Sequence, residues 1–81
     1  MTEPLEICSE SGGTRPYLMG KPIHAGDCLQ VLVSGHWYDA RCECYTEAGK
    51  ICWYLIVFKV EEEEIFEDFS NLVCRFESIS N

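Results

Sequence analysis

The sequence predicts a mainly β, antiparallel domain with one short helix near residues 62–71. Apolar residues alternate with period two over residues 28–33 and 36–45. Ser34-Gly35 and Gly49 break the chain between three apolar runs, as hairpin connections do. The period then changes, because Ile65, Phe66, Phe69 and Leu72 follow a spacing of i, i+1, i+4 and i+7 that draws one apolar stripe on a helix.

Taken in order, residues 1–15 combine polar side chains with Ser11-Gly12-Gly13 and hold no sustained period. They read as a loosely ordered arm anchored by Leu5, Ile7 and Cys8, ahead of a single domain at 16–78. Tyr17-Leu18-Met19 is a short strand ended by Gly20 and Pro22, and His24-Ala25-Gly26-Asp27 is a turn. The next strand, 28–33, places Leu29, Val31 and Val33 on one face. In the strand from His36 to Tyr45, Tyr38, Ala40, Cys42 and Cys44 share the face expected to be buried, opposite Trp37, Asp39, Arg41, Glu43 and Tyr45. After a turn at 46–50, residues 51–60 are rich enough in aromatic and β-branched side chains to be a central strand covered on both faces. Its cover can come from the expected helix or from a second chain, so the oligomeric state stays open. Glutamates before that helix suit the positive end of its dipole. A last strand, 72–77, points Leu72, Cys74 and Phe76 inward, and residues after Ser78 are expected to fray.

The 81 residues carry 14 acidic and 6 basic side chains, a formal charge of −8. A chain this short buries only about 60–65 % of its unfolded surface, so most large apolar residues are committed to the core. The 47 % hydrophobic fraction is too high for a disordered chain. Negative charge opposes phosphate backbones and anionic lipid, and the longest apolar run, residues 51–58, is too short for a membrane helix. The expectation is therefore no direct nucleic-acid partner and no membrane partner. Met1-Thr2-Glu3-Pro4 lacks the features of a secretory signal, so a cytoplasmic location and free thiols are expected for Cys8, Cys28, Cys42, Cys44, Cys52 and Cys74. The six cysteines contain no Cys-x-x-Cys pair; Cys42 and Cys44 suit neighbouring core positions better than one metal tetrahedron.

The pattern Gly26-Asp27-x-Leu29-x-Val31, Gly35-x-Trp37-Tyr38-x-Ala40-Arg41 and Trp53-Tyr54-Leu55 resembles the first half of SH3-like and Tudor-like small barrels. It is closest to small uncharacterised bacterial proteins sharing the Gly-Asp, Gly-x-Trp, Arg and Trp-Tyr-Leu pattern. The match covers residues 24–57. It implies a small SH3-like, partly open antiparallel barrel acting as a binding module, and it carries no activity across. The acidic segment 61–68 departs from that pattern, lying where such a barrel needs only a short connection.

Several chemistries are set aside on residue type. His24 and His36 are the only bases of their kind, and neither is placed by local spacing beside a thiol. Ser11-Gly12-Gly13-Thr14 lacks the lysine of a phosphate-binding loop. The glutamate run has neither the turn glycine nor the alternating oxygen ligands of an EF-hand. No cofactor, metal or catalytic residue is assigned, and the chain is read as a non-enzyme.

What stands out is charge clustering. Residues 59–68 hold six carboxylates and one lysine, five of the eight net negative charges. The expected function is a protein-interaction module in which Glu61, Glu62, Glu63, Glu64, Glu67 and Asp68 meet a basic protein surface, with Trp37 and Tyr45 as apolar anchors. The alternative is an inhibitor that mimics a nucleic-acid backbone and occupies the groove of a nucleic-acid-binding protein. Weaker readings are a methylated-residue reader drawing on Trp37, Tyr45 and at most one of Trp53 and Tyr54, which point to opposite faces, and a thiol or metal protein.

Overall fold

Alternation and hairpin chemistry build nine strands, all paired antiparallel. In the computed structural model, which describes residues 2–10 and 13–77 (Glu10 through its backbone alone), these are β1 (Glu3–Pro4), β2 (Glu6–Glu10), β3 (Gly13–Leu18), β4 (Lys21–Pro22), β5 (Cys28–Val33), β6 (His36–Glu47), β7 (Lys50–Lys59), β8 (Glu62–Phe66) and β9 (Val73–Phe76). They form a six-stranded sheet in the order β1-β9-β5-β6-β7-β8 and a three-stranded sheet in the order β2-β3-β4.

Four connections are two-residue hairpin turns. The flanking pairs Leu18–Lys21, Val33–His36, Glu47–Lys50 and Lys59–Glu62 fix their length. In the first three, both central residues have positive φ: Met19 and Gly20 at 53° and 79°, Ser34 and Gly35 at 50° and 81°, Ala48 and Gly49 at 51° and 78°. That backbone matches the right-handed twist of the strands it joins, and a glycine at the second position adopts it without steric cost. The fourth turn, Val60-Glu61, has no glycine, and Glu61 itself stands at φ 68°.

The two sheets enclose one core. β5 contributes Leu29 and Val31, β6 Ala40 and Cys42, β7 Trp53, Leu55 and Val57, and β9 Cys74. Leu5, Leu18, Ile23 and Phe69 close it from the smaller sheet and the connecting segments. Trp53 ties the layers together, its Nε1 donating to the Thr14 carbonyl at 2.8 Å, while Arg15 lies 5.3 Å from the centre of its ring. Leu5 and Ile23 are buried where the chain passes from one sheet to the other.

One expectation is corrected. Residues 62–71 form no helix: Glu62–Phe66 is a strand hydrogen-bonded to β7, and no helix occurs among the described residues. The physical reason is the otherwise open edge of β7, whose main-chain groups take β8 as the sixth strand of the sheet, with Val57 opposite Glu64 and Ile56 opposite Ile65. A helical stripe at 65, 66, 69 and 72 is replaced by alternation: Ile65 points outward at 60 % exposure and Phe66 packs against the core. The larger sheet ends at β1 and β8 without closing, an open antiparallel arrangement consistent with the partly open one expected.

The first 15 residues, expected as a loose arm, include β1, β2 and the start of β3, with β2 paired to β3 from Glu6–Tyr17 to Glu10–Gly13. The fraying expected after Ser78 lies outside the described residues, as do Ser11 and Gly12. No described helix is long and apolar enough to cross a membrane.

Candidate functional site

Registers carry side chains into rows across the outer face of the large sheet. One row runs Arg75, Gln30, Asp39, Phe58 and Glu63. Arg75 Nε donates to Gln30 Oε1 at 2.8 Å, and Gln30 Nε2 donates to Asp39 Oδ1 at 3.2 Å. The next row sets Cys28, Arg41, Ile56 and Ile65 side by side. Arg41 is already committed: its Nε meets Glu43 Oε2 at 2.8 Å and its guanidinium lies 5.7 Å from the centre of the Phe58 ring. On this face Ile56 is buried, while Phe58, Ile65 and Tyr45 are exposed at 36 %, 60 % and 39 %.

The acidic segment is distributed by the β8 pleat. Glu63 lies on the outer face with Ile65, beside exposed Phe58. Glu62 and Glu64 lie on the other face, where Glu64 pairs with Lys59, whose ammonium sits 5.5 Å from the centre of Tyr38. This hydrogen bond is the main reason the Lys59 pKa is raised. Glu61 occupies the turn, next to Val60 at 89 % exposure. Asp68 lies in the following loop, accepting from Ser70 Oγ at 2.8 Å and Ser70 N at 3.3 Å, and these bonds hold its carboxyl below the usual range.

Glu67 stands between two hollows. One, of about 260 Å³, is lined by Tyr45, Tyr54, Ile65 and Glu67. The two tyrosine rings are 5.8 Å apart and tilted by 51°. The Glu67 carboxylate is the main cause of the raised Tyr45 pKa, ahead of Cys52. The other hollow, about 210 Å³, is bordered by Ile7, Ile51, Trp53 and Phe69 together with Glu67 and Asp68.

Among the residues expected at the site, Tyr45 and Glu67 meet. Glu61, Glu62 and Glu63 cluster at the β7–β8 turn, and Glu64 is drawn into its ion pair with Lys59. Trp37 lies apart: it is half-buried, with Arg75 3.9 Å from its ring centre. Eight residues of β6 separate it from Tyr45, roughly 26 Å along a strand, so the two do not form one anchor. Trp53 faces the core and Tyr54 the outer surface, so of this pair only Tyr54 lies beside Tyr45. Tyr54 reaches Tyr45 through the β6–β7 register, whereas Ile65 and Phe58, neither expected at the site, join its acidic residues once β8 pairs with β7.

The thiols are spread through the fold. Cys42 and Cys74 are fully buried, and burial pushes their pKa values up to about 12 and about 11. Cys28 is exposed and its Sγ is directed at the Gly26 carbonyl. His24 faces Asp27, with Nδ1 3.5 Å from Oδ2, and His36 packs edge-on against Tyr38. No group of three His, Cys, Asp or Glu side chains among the described residues is placed to hold a metal ion.

Fold and surface together define a small antiparallel β domain with a carboxylate-rich open edge. The chain belongs to the family described as a domain of unknown function (DUF5348), whose model matches residues 5–67. That span runs from Leu5 through β8 to Glu67 and leaves out β1, Asp68 and β9. Comparison with curated proteins and with solved structures gave no match.

Proposed function

We propose that the domain is a non-enzymatic interaction module whose β7–β8 hairpin and adjoining outer face engage a basic protein surface. The observation that carries this reading is Glu61. Three hairpin turns place glycine at the second, left-handed position, after Met19, Ser34 or Ala48 at the first; the fourth places Glu61 at that second position, at a cost of about 1 kcal/mol relative to glycine. Local stability is given up at the position that completes a run of four carboxylates, which is where a binding surface is expected to override a folding preference. Beside the run, Phe58 and Ile65 supply exposed apolar area on the same face as Glu63. A charged edge strand also blocks edge-to-edge aggregation, which explains Glu62 to Glu64 but not a glutamate in the turn.

The partner surface is read as basic, and the mode of attraction as electrostatic steering followed by apolar contact. The SH3-like kinship, the bacterial kin and the cytoplasmic setting belong to this same reading. The mimic of a nucleic-acid backbone remains second, because it needs two rows of carboxylates and β8 supplies one edge.

The test is capture of partners from extract of the source cells at low and high salt, with wild type and the Glu62→Lys/Glu63→Lys variant as baits. Glu64 is left intact because its ion pair with Lys59 supports the hairpin. A basic protein retained at low salt by the wild type alone supports the reading. Equal retention by both baits at both salts overturns it.

A further inference from the structure

We propose that the hollow formed by Tyr45, Tyr54, Ile65 and Glu67 receives an arginine side chain of the basic partner. The inference rests on the proposed function and specifies its anchor.

The hollow offers two different surfaces to a cation. Tyr45 and Tyr54 line it with rings tilted by 51° to each other and centres 5.8 Å apart, and the negative face of such a ring attracts a cation. Glu67 adds a full negative charge to the lining, and its field already acts on the Tyr45 hydroxyl. Among the described residues, no lysine or arginine lines the hollow. The nearest arginine along the sheet face, Arg41, is turned to Glu43 and Phe58. A concave site of about 260 Å³ with two rings, one aliphatic wall and one carboxylate is therefore open to a cation from outside.

Guanidinium fits this lining better than ammonium. It is planar and weakly hydrated, so it can stack on a ring while its edge gives two parallel N–H bonds to one carboxylate; an ammonium needs three acceptors or water to replace its hydration. The same sheet face already shows this mode of packing. Arg75 lies 3.9 Å from the centre of Trp37 while its Nε donates to the neighbouring Gln30. The hollow at Tyr45 repeats the ring and the acceptor without the arginine.

The test uses a short glycine-flanked peptide bearing one arginine, with counterparts in which citrulline or lysine replaces it. Binding is followed by nuclear magnetic resonance of backbone amides in the full chain. The expected result is saturable shifts centred on residues 45, 54, 65 and 67, with at least about fivefold weaker binding for both counterparts. Glu67→Gln and Tyr54→Leu should each weaken the arginine peptide by about fivefold, with the rest of the spectrum unchanged. Shifts confined to Glu62 and Glu63, or equal affinity for the lysine peptide, overturn the proposal. Loss of partner capture in Glu62→Lys/Glu63→Lys together with no shift at the hollow removes this inference and leaves the proposed function standing. Arginine-selective shifts at the hollow together with salt-insensitive capture do the reverse.

Discussion

The guanidinium of Arg75 lies 3.9 Å from the centre of the Trp37 ring, bridging β9 to the start of β6 across β5. Because Arg75 also donates to Gln30, and Gln30 to Asp39, the four side chains tie three strands together on the outer face. Arg75→Ala is expected to cost about 1–2 kcal/mol in urea unfolding. Arg75→Lys should recover less than half of that, since an ammonium cannot stack flat while reaching Gln30. Full recovery by lysine would show that charge alone matters there.

The β7–β8 turn is expected to be a point of stored strain. Glu61→Gly should raise stability by about 0.5–1 kcal/mol, because glycine takes φ 68° without a steric penalty. The converse substitution, Gly35→Ala, should lower it by about 1 kcal/mol. No atom lies within 4 Å of the added Cβ, so the cost comes from φ 81° and not from a clash. Urea midpoints of the two variants check both signs.

Cys42 and Cys74 make the domain sensitive to alkali. Burial raises their pKa values from 9.0 to about 12 and about 11. The unfolded chain therefore loses protons at lower pH than the native one, so their contribution is intact below pH 9.0 and is lost as pH rises toward about 11–12. The urea midpoint should fall between about pH 8 and about pH 10.5, and fall less steeply in Cys42→Ala/Cys74→Ala. At neutral pH, thiol titration of the native protein should label Cys28 fast and these two slowly.

Core packing gives a further check. Leu55 is fully buried at the middle of β7, between Cys42 and Phe66 in register. Leu55→Ala is expected to destabilise the domain by about 2–5 kcal/mol, whereas Ile65→Ala, on the exposed face, should change it by less than about 1 kcal/mol. If Glu62–Phe66 were a helix packed through Ile65, the second change would cost as much as the first.

The sequence displays the middle of the fold openly and its edges poorly. Strand 28–33 and the strand from His36 are legible because Leu29, Val31, Ala40 and Cys42 alternate and Ser34-Gly35 divides them. The inward direction of Cys74 follows from the same period of two. β8 was hidden because four glutamates are poor strand formers and suit a helix start, and because its turn carries Val60-Glu61 in place of glycine. The available signal was Lys59, which an antiparallel strand sets on the same face as Glu62 and Glu64. The order in residues 3–10 depends on pairing with β9 and β3, which local periodicity does not encode. The site shares that fate in part: Tyr45, Tyr54 and Glu67 could be named from residue type and charge, but Ile65 joins them only through the β7–β8 register.

The most direct measurement is the equilibrium affinity of a captured basic partner for wild type and for Glu62→Lys/Glu63→Lys, between about 50 mM and about 300 mM salt. Wild-type affinity should fall steeply with salt, and the charge-reversed variant should bind weakly with little salt dependence. Equal affinities with the same flat salt response would contradict a carboxylate edge that engages a cationic surface.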